Sequence, residues 1–249
     1  HLNWETYTHT FSVGYNVLIT TSNAHDISEL QSLVESNRVD GMLLTRALED
    51  DRALQYLSQA NFPTALTGTC RYDNIIQVDT DNEGAAEKMT TLLIGKGFRR
   101  FAFLVKDMSY NVDRKRHEGF CRALIKNGIS EKDQLFYNGS IRMEFLDAII
   151  ENIISKKVEC IICGDDEICT MVMSRLQAEG YRIPKDVAIA SLYNSTNLDC
   201  YSPAVTAVSV AASQMGGTAV RQLIQRLRGE NYEKKTMLDY DILFRKSTN

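Results

Sequence analysis

Nowhere in the 249 residues is there an unbroken apolar run of the roughly 18 residues that a membrane-spanning helix needs. Positive charge is not in excess either. There are 28 lysines and arginines against 32 aspartates and glutamates, a net charge of −4. A module that grips DNA by itself needs a basic face to neutralise phosphates, and this composition offers none. The signatures of common catalysts are missing: no G-x-S-x-G turn, no P-loop and no G-x-G-x-x-G. The four histidines, His1, His9, His25 and His117, are scattered and show no HExxH or other metal-ligand spacing. No enzyme activity, cofactor or metal is therefore expected. Repeats, low-complexity tracts and linkers are absent, and the polar opening HLNWETYTHT does not read as a signal peptide.

Cysteine is present but without a framework. Of Cys70, Cys121, Cys160, Cys163, Cys169 and Cys200, most stand inside apolar runs. Cys160 and Cys163 form a CxxC, yet no second pair or nearby histidine completes a zinc site. The expected state is reduced core thiols in a cytoplasmic protein.

What the chain does have is globular: 44% hydrophobic and 24% charged residues. Short apolar runs alternate with helical stretches. The runs are Tyr15–Thr20, Met42–Leu44, Thr64–Leu66, Ile75–Val78, Phe101–Val105, Ile161–Cys163 and Val187–Ala190. Several lack polar alternation, as strands covered on both faces do. Between them, Asp81 or Asn82 can cap a helix whose one face is Ala85, Met89, Leu92 and Leu93. Ile168, Val172 and Leu176 mark another, and Met215, Ala219, Leu223 and Leu227 a third. Gly97, Gly128, Gly180 and Gly229 follow helical stretches, where a left-handed residue ends the helix. Pro63 and Pro184 stand just before strands. The alternation predicts a parallel, doubly wound α/β fold.

Four segments in order carry a family likeness: VDGMLLTR (Val39–Arg46), VDTDNEGAAEKMTTLLIGKGFRRFAFL (Val78–Leu104), RKRHEGFCRAL (Arg114–Leu124) and GYRIPKDVAIASLYNS (Gly180–Ser195). YSPAVTAV, SQMGGTAVRQLIQRLRG and the closing LFRKSTN follow with matching order and spacing. The set resembles the LacI/GalR family of transcriptional regulators, from about Gly14 to the last residue. The resemblance implies a type I periplasmic-binding-protein-like architecture of two doubly wound lobes with a ligand cleft between them. Lobe one would be residues 1–106 plus 211–235, and lobe two 107–210 plus 236–249. It further implies a homodimer, a sugar-like small-molecule effector, and operator DNA bound through a headpiece outside this chain. The family's core begins one strand and one helix before the segment matching Gly14–Thr20; only HLNWETYTHTFSV precedes it here, so the first strand and part of the first helix are expected to be missing from this chain.

Ligands of open α/β sheets bind beyond the carboxyl ends of the strands. That rule singles out Arg46, Asp81, Asp165, Asp166, Tyr193 and Asn194, with Thr21 and Ser22, and Arg116 early in a helix. Guanidinium and carboxylate groups suit sugar hydroxyls, and an aromatic face suits the apolar side of the ring. By resemblance, Arg116 is the Arg of the family's Arg-x-x-Gly-Phe helix, and Asp165 stands at the family's effector-contacting Asn. Tyr193-Asn194 replaces the family's usual Asp-Asp pair. Each residue also has a plainer reading: Arg46 as a solvated strand-end charge, Arg116 as part of a solvated basic helix face, Asp165 and Asp81 as helix caps, Tyr193 as packing. Arg116→Ala is expected to abolish effector binding with little loss of stability. A solute-binding receptor of a transport system is the alternative with the same architecture, and a hydrolase of similar fold would lack a visible nucleophile.

Overall fold

The computed structural model describes residues 14–21, 26–139 and 143–249, which fall into two compact units. Along the chain come α1 (Ser28–Glu35), β1 (Met42–Leu44), α2 (Arg52–Gln59), β2 (Thr64–Thr67), β3 (Ile76–Thr80), α3 (Asn82–Gly95), β4 (Phe101–Val105) and α4 (Asn111–Lys126). Then follow β5 (Leu135–Asn138), α5 (Met143–Ser155), β6 (Cys160–Cys163), α6 (Asp166–Ala178), β7 (Ala188–Ser191), α7 (Thr196–Cys200), β8 (Thr206–Val210), α8 (Ala212–Leu227), β9 (Lys235–Leu238) and β10 (Tyr240–Leu243).

Unit 1 comprises residues up to Thr80, Ser109–Asn111 and Ala211–Asp239. Its sheet has the order β1-β2-β3-β9, and every neighbouring pair is parallel. Parallel neighbours need crossovers, which leave both faces to be covered. One face packs Ala65, Ile76 and Val78 against Ala219 and Leu223 of α8. The other collects Leu66, Ile75, Leu54 and Ala47. Asp51 starts α2 by accepting from the Leu54 amide at 3.0 Å. The tripeptide Ser109–Asn111 pairs with the chain after β1: the Glu49 amide donates to Ser109 O (2.9 Å) and the Asn111 amide to Ala47 O (3.1 Å).

Unit 2 comprises Asp81–Met108, Val112–Val210 and Tyr240–Asn249. Its six strands run β10-β8-β7-β6-β4-β5, parallel except that β10 is antiparallel to β8. β4 shows how the residues dictate the layers. Side chains alternate across a strand, so Phe101, Phe103 and Val105 join the core under α3 and α4, while Ala102 and Leu104 join the core under α5 and α6. Both sets are fully buried. Phe120 of α4 stacks on Phe103 at 4.7 Å and meets Phe101 edge-on at 6.1 Å. Truncating such a buried ring costs about 3–5 kcal/mol. Asp165 caps α6 through the Ile168 amide at 2.9 Å.

Several expectations change. The first crossing between units falls at Thr80–Asp81, not after Lys106, because β4 lies inside the six-stranded sheet between β5 and β6, with α3 packed on it. The last falls at Asp239–Tyr240, not after Lys235, because β9 runs parallel to β3 in the first sheet and only β10 joins β8. Tyr15–Thr20 is irregular rather than a strand and has no ladder partner among the described residues. Leu92 turns outward, 37% exposed, while Ala85, Met89 and Leu93 of the same helix are buried. Residues 1–13, on which the expected lack of the family's opening strand and part of its first helix bears, and Ser22 lie outside the described residues.

Candidate functional site

The carboxyl ends of β4, β6 and β7 in unit 2 open onto Lys106, Gly164-Asp165 and Leu192–Asn194. They are drawn close together. The Gly164 amide donates to Leu104 O at 2.7 Å, and the Leu192 amide to Cys163 O at 2.9 Å. A Cβ on Gly164 would stand 2.9 Å from Val105 Cγ1 and 3.0 Å from Leu104 O, so only glycine fits this turn without a shift.

Arg116 reaches these strand ends from α4. Three residues on, Gly119 lets α4 settle directly onto α3: a Cβ there would lie 2.1 Å from Glu83 O. That close crossing carries Arg116 inward to 7% exposure. Its Nε donates to Asn82 Oδ1 at 3.1 Å and its Nη1 to Gly164 O at 2.7 Å. The guanidinium is thereby held from two sides by groups of two different elements. Asn82 opens α3, where Asp81 caps the helix by accepting from the Gly84 amide at 2.8 Å. Asp113, one turn before Arg116 and also buried, accepts from the Asp107 amide at 3.1 Å and ties the start of α4 to the chain leaving β4.

Tyr193 is half-buried behind β7. Ser191 shapes its turn: Ser191 Oγ donates to Tyr193 O at 2.7 Å and accepts from the Tyr193 amide at 3.3 Å. Burial pushes the phenol pKa above its ordinary value, the Asp166 carboxylate adds to the rise, and the Arg116 cation works against it. The Asp166 and Arg116 charges thus both bear on the Tyr193 hydroxyl. An aromatic face, an acid and a fixed guanidinium together can receive a ligand that has hydroxyls on its edge and an apolar face.

The other candidates have structural occupations. Asp165 uses Oδ1 for its cap and Oδ2 for Lys106 Nζ at 3.0 Å. Lys106 also pairs with Glu167; burial pulls its pKa down, but Glu167 and Asp165 outweigh that and leave it raised. Asn194 Oδ1 accepts from Arg245 Nη1 at 2.9 Å. Asp81 is exposed and serves as a cap. Arg46 belongs to unit 1, where its exposed guanidinium lies 5.4 Å from the Tyr110 ring centre. Sequence reasoning did not single out Lys106, Asp113 or Tyr110, and it noted Asn82 only as a cap. Lys106 stands just past the end of a strand, so the strand-end rule could have found it. The burial of Arg116 also revises its plainer reading, because a solvated basic face is ruled out. Among the described residues no group of three His, Cys, Asp or Glu is placed to hold a metal ion.

A family model for periplasmic binding protein-like domains matches residues 90–248. The transcriptional regulator CelR of Thermobifida fusca is 26% identical over 237 residues, which is 93% of this chain and 70% of that protein. A crystal structure from Bacillus cereus subsp. cytotoxis NVH 391-98, described as the transcriptional regulator LacI, superposes with a TM-score of 0.89 at 27% identity, covering 98% of this chain and 89% of that one. The structure of a complex of the regulator CelR with cellobiose superposes with a TM-score of 0.85 at 25% identity, covering 98% and 76%.

Proposed function

The chain belongs to the periplasmic binding protein-like family and is the core of a LacI/GalR-type transcriptional regulator; from that premise we propose that a sugar-like small molecule binds at the strand ends of unit 2, against Arg116 and Tyr193. The observation that carries the reading is Arg116: a guanidinium at 7% exposure, fixed by Asn82 and Gly164, whose charge, like that of Asp166, bears on the Tyr193 hydroxyl. A fixed fork recognises vicinal hydroxyls with little ordering cost on binding. The cellobiose complex of the related CelR supports a sugar over other small polar ligands.

Within this reading Tyr193 covers the apolar side of the sugar and Asp166 accepts from its hydroxyls. Asp165, Asn194 and Asp81 shape the backbone around the ligand. The regulator works as a cytoplasmic homodimer that reads operator DNA through a headpiece outside these residues. Effector and operator affinities are then linked: whatever the sugar does to DNA binding, DNA does to sugar binding. A transport receptor would share the fold, but the similar proteins named above are transcriptional regulators. No helix among the described residues is long and apolar enough to cross a membrane.

A thermal-shift screen against neutral mono- and disaccharides, sugar phosphates and nucleosides tests the ligand class. At a ligand concentration of a hundred times Kd the folded state gains about 2.7 kcal/mol, which moves the melting point by several degrees. A neutral sugar should give the largest shift, and calorimetry on Arg116→Met should lose it. A shift confined to nucleosides or sugar phosphates, or one that survives the substitution, overturns the assignment. A gel-shift titration of the full-length regulator with its operator, with and without the sugar, tests the linkage.

A further inference from the structure

The closing residues LFRKSTN have a place in the fold that the effector reading leaves unexplained. Ser247 and Thr248 are buried at the end of unit 2. Ser247 Oγ donates to Ile189 O (2.7 Å) and accepts from the Thr206 amide (2.8 Å), and Thr248 Oγ1 bonds Thr206 Oγ1 (2.7 Å). These bonds anchor the tail between β7 and β8. Just ahead of the anchor, the Arg245 side chain is 18% exposed, and its guanidinium is committed to one loop. Nη1 donates to Asn194 Oδ1 at 2.9 Å and to Val205 O at 2.6 Å, and Nη2 pairs with Asp199. Its own backbone is pinned on both sides by Thr206 Oγ1, at 3.0 and 3.2 Å.

Arg245 therefore grips the segment between β7 and β8 near its start, in α7 and at its end. Asn194 directly follows Tyr193, whose turn is held from the other side by Ser191 Oγ. We propose that Arg245 is a positioning residue for effector recognition, fixing the β7–α7 turn so that the Tyr193 ring is set before the ligand arrives. The inference rests on the effector site proposed above. A planar guanidinium is suited to the task because it holds three acceptors in one fixed geometry, which a lysine cannot do. Setting the ring in advance removes an ordering cost that binding would otherwise bear.

Hydrogen exchange on the ligand-free protein and calorimetry with the panel sugar of largest thermal shift, run on four proteins, decide it. Relative to wild type, Arg245→Met should speed exchange in Leu192–Cys200 by roughly tenfold and weaken sugar binding by about tenfold. Arg245→Lys should recover part of both. Thr248→Val loosens the same tail without touching the guanidinium, and should lower the melting point while leaving exchange in Leu192–Cys200 and the affinity near wild type. If Thr248→Val matched Arg245→Met in exchange and affinity, Arg245 would be only a fold staple and the proposal would fall. Unchanged exchange in Arg245→Met would also overturn it. If no panel sugar binds, the effector reading fails, while the exchange arm still decides whether Arg245 sets the turn.

Discussion

The two sheets are furnished differently where their strands end. In unit 2, Arg116 is buried and has a bond on each side, from Asn82 and from Gly164 O. In unit 1, Arg46 stands exposed over the Tyr110 ring. Both are arginines that the strand-end rule picks out, yet only one is preorganised. A guanidinium whose rotamer is already set gives up little entropy on meeting a ligand, whereas a solvated one must be ordered first. The contrast supports the proposal that places recognition in unit 2 at Arg116.

The largest effect should come from what seats Arg116 rather than from Arg116 itself. In an ordinary helix interior Gly→Ala gains up to about 1 kcal/mol. At Gly119 the new Cβ would meet Glu83 O at 2.1 Å and Ala86 Cβ at 3.0 Å, and a backbone oxygen cannot swing away. Overpacking typically costs about 1–3 kcal/mol and occasionally more, and a clash with backbone belongs at the upper end. Gly119→Ala should therefore lower the urea midpoint markedly and weaken sugar binding, because α4 must lift from α3. Gly95→Ala, at the end of the same α3 with nothing within 4 Å of its Cβ, should instead hold or raise stability. Equal behaviour of the two variants would show that the α3–α4 crossing is not the seat.

Next in size is Arg116→Met. A hydrogen-bonded charge contributes on the order of 1.5–3 kcal/mol, so calorimetry should record a loss of roughly 10–100-fold in sugar affinity. The same substitution takes a donor from Asn82 Oδ1 and from Gly164 O, both buried. Each acceptor left without it costs on the order of 1–3 kcal/mol. The expectation of a stable Arg116→Ala variant, reasonable for a solvated helix charge, gives way to a loss of both stability and binding. Urea unfolding checks the first and calorimetry the second.

What the residue pattern revealed and what it hid follow from range. β4, β6 and β7 were legible because strands buried on both faces are apolar throughout. β5 and β9 were not, since each exposes alternate residues at the border of its sheet and contains only four residues. Tyr15–Thr20 has the composition of a strand without a partner among the described residues, and strand propensity means little apart from its neighbours. In the site, Arg116 could be found from the Arg-x-x-Gly-Phe pattern, but the reason for its glycine lies in a second helix. Asn82 and Arg245 could not be paired with Arg116 and Asn194 in advance, being 34 and 51 residues away. Tyr193 and Asn194 looked like one ligand pair. Asn194 meets Arg245 instead.

A smaller effect separates the back of α4 from its site face. His117 is partly buried, its ring 4.3 Å from Phe136 and its Nε2 3.5 Å from Cys121 Sγ. Burial lowers its pKa below the ordinary 6.5, against an opposing pull from Glu131 and Glu118. The unfolded chain then takes up a proton before the folded one does. Stability is full above about pH 6.5 and falls as the pH drops below it. His117→Gln should flatten that part of the urea-midpoint profile between pH 7.5 and 5.5 while leaving sugar affinity at pH 7.5 unchanged. A profile with the same slope in both proteins would assign the loss to other groups.

The smallest effect belongs to Arg46→Ala. An exposed cation over an aromatic ring contributes about 0.5–1 kcal/mol, and Arg46 is such a cation, 5.4 Å from the Tyr110 ring centre. Stability should fall by less than about 1 kcal/mol, and sugar affinity by several-fold less than in Arg116→Met. The ratio of the two affinity losses is the sharper quantity, because both variants remove one guanidinium from a strand-end position and differ in how the lost group was held. A large ratio means that preorganisation in unit 2 governs recognition. A ratio near one would mean that the buried seat of Arg116 is a feature of folding rather than of binding.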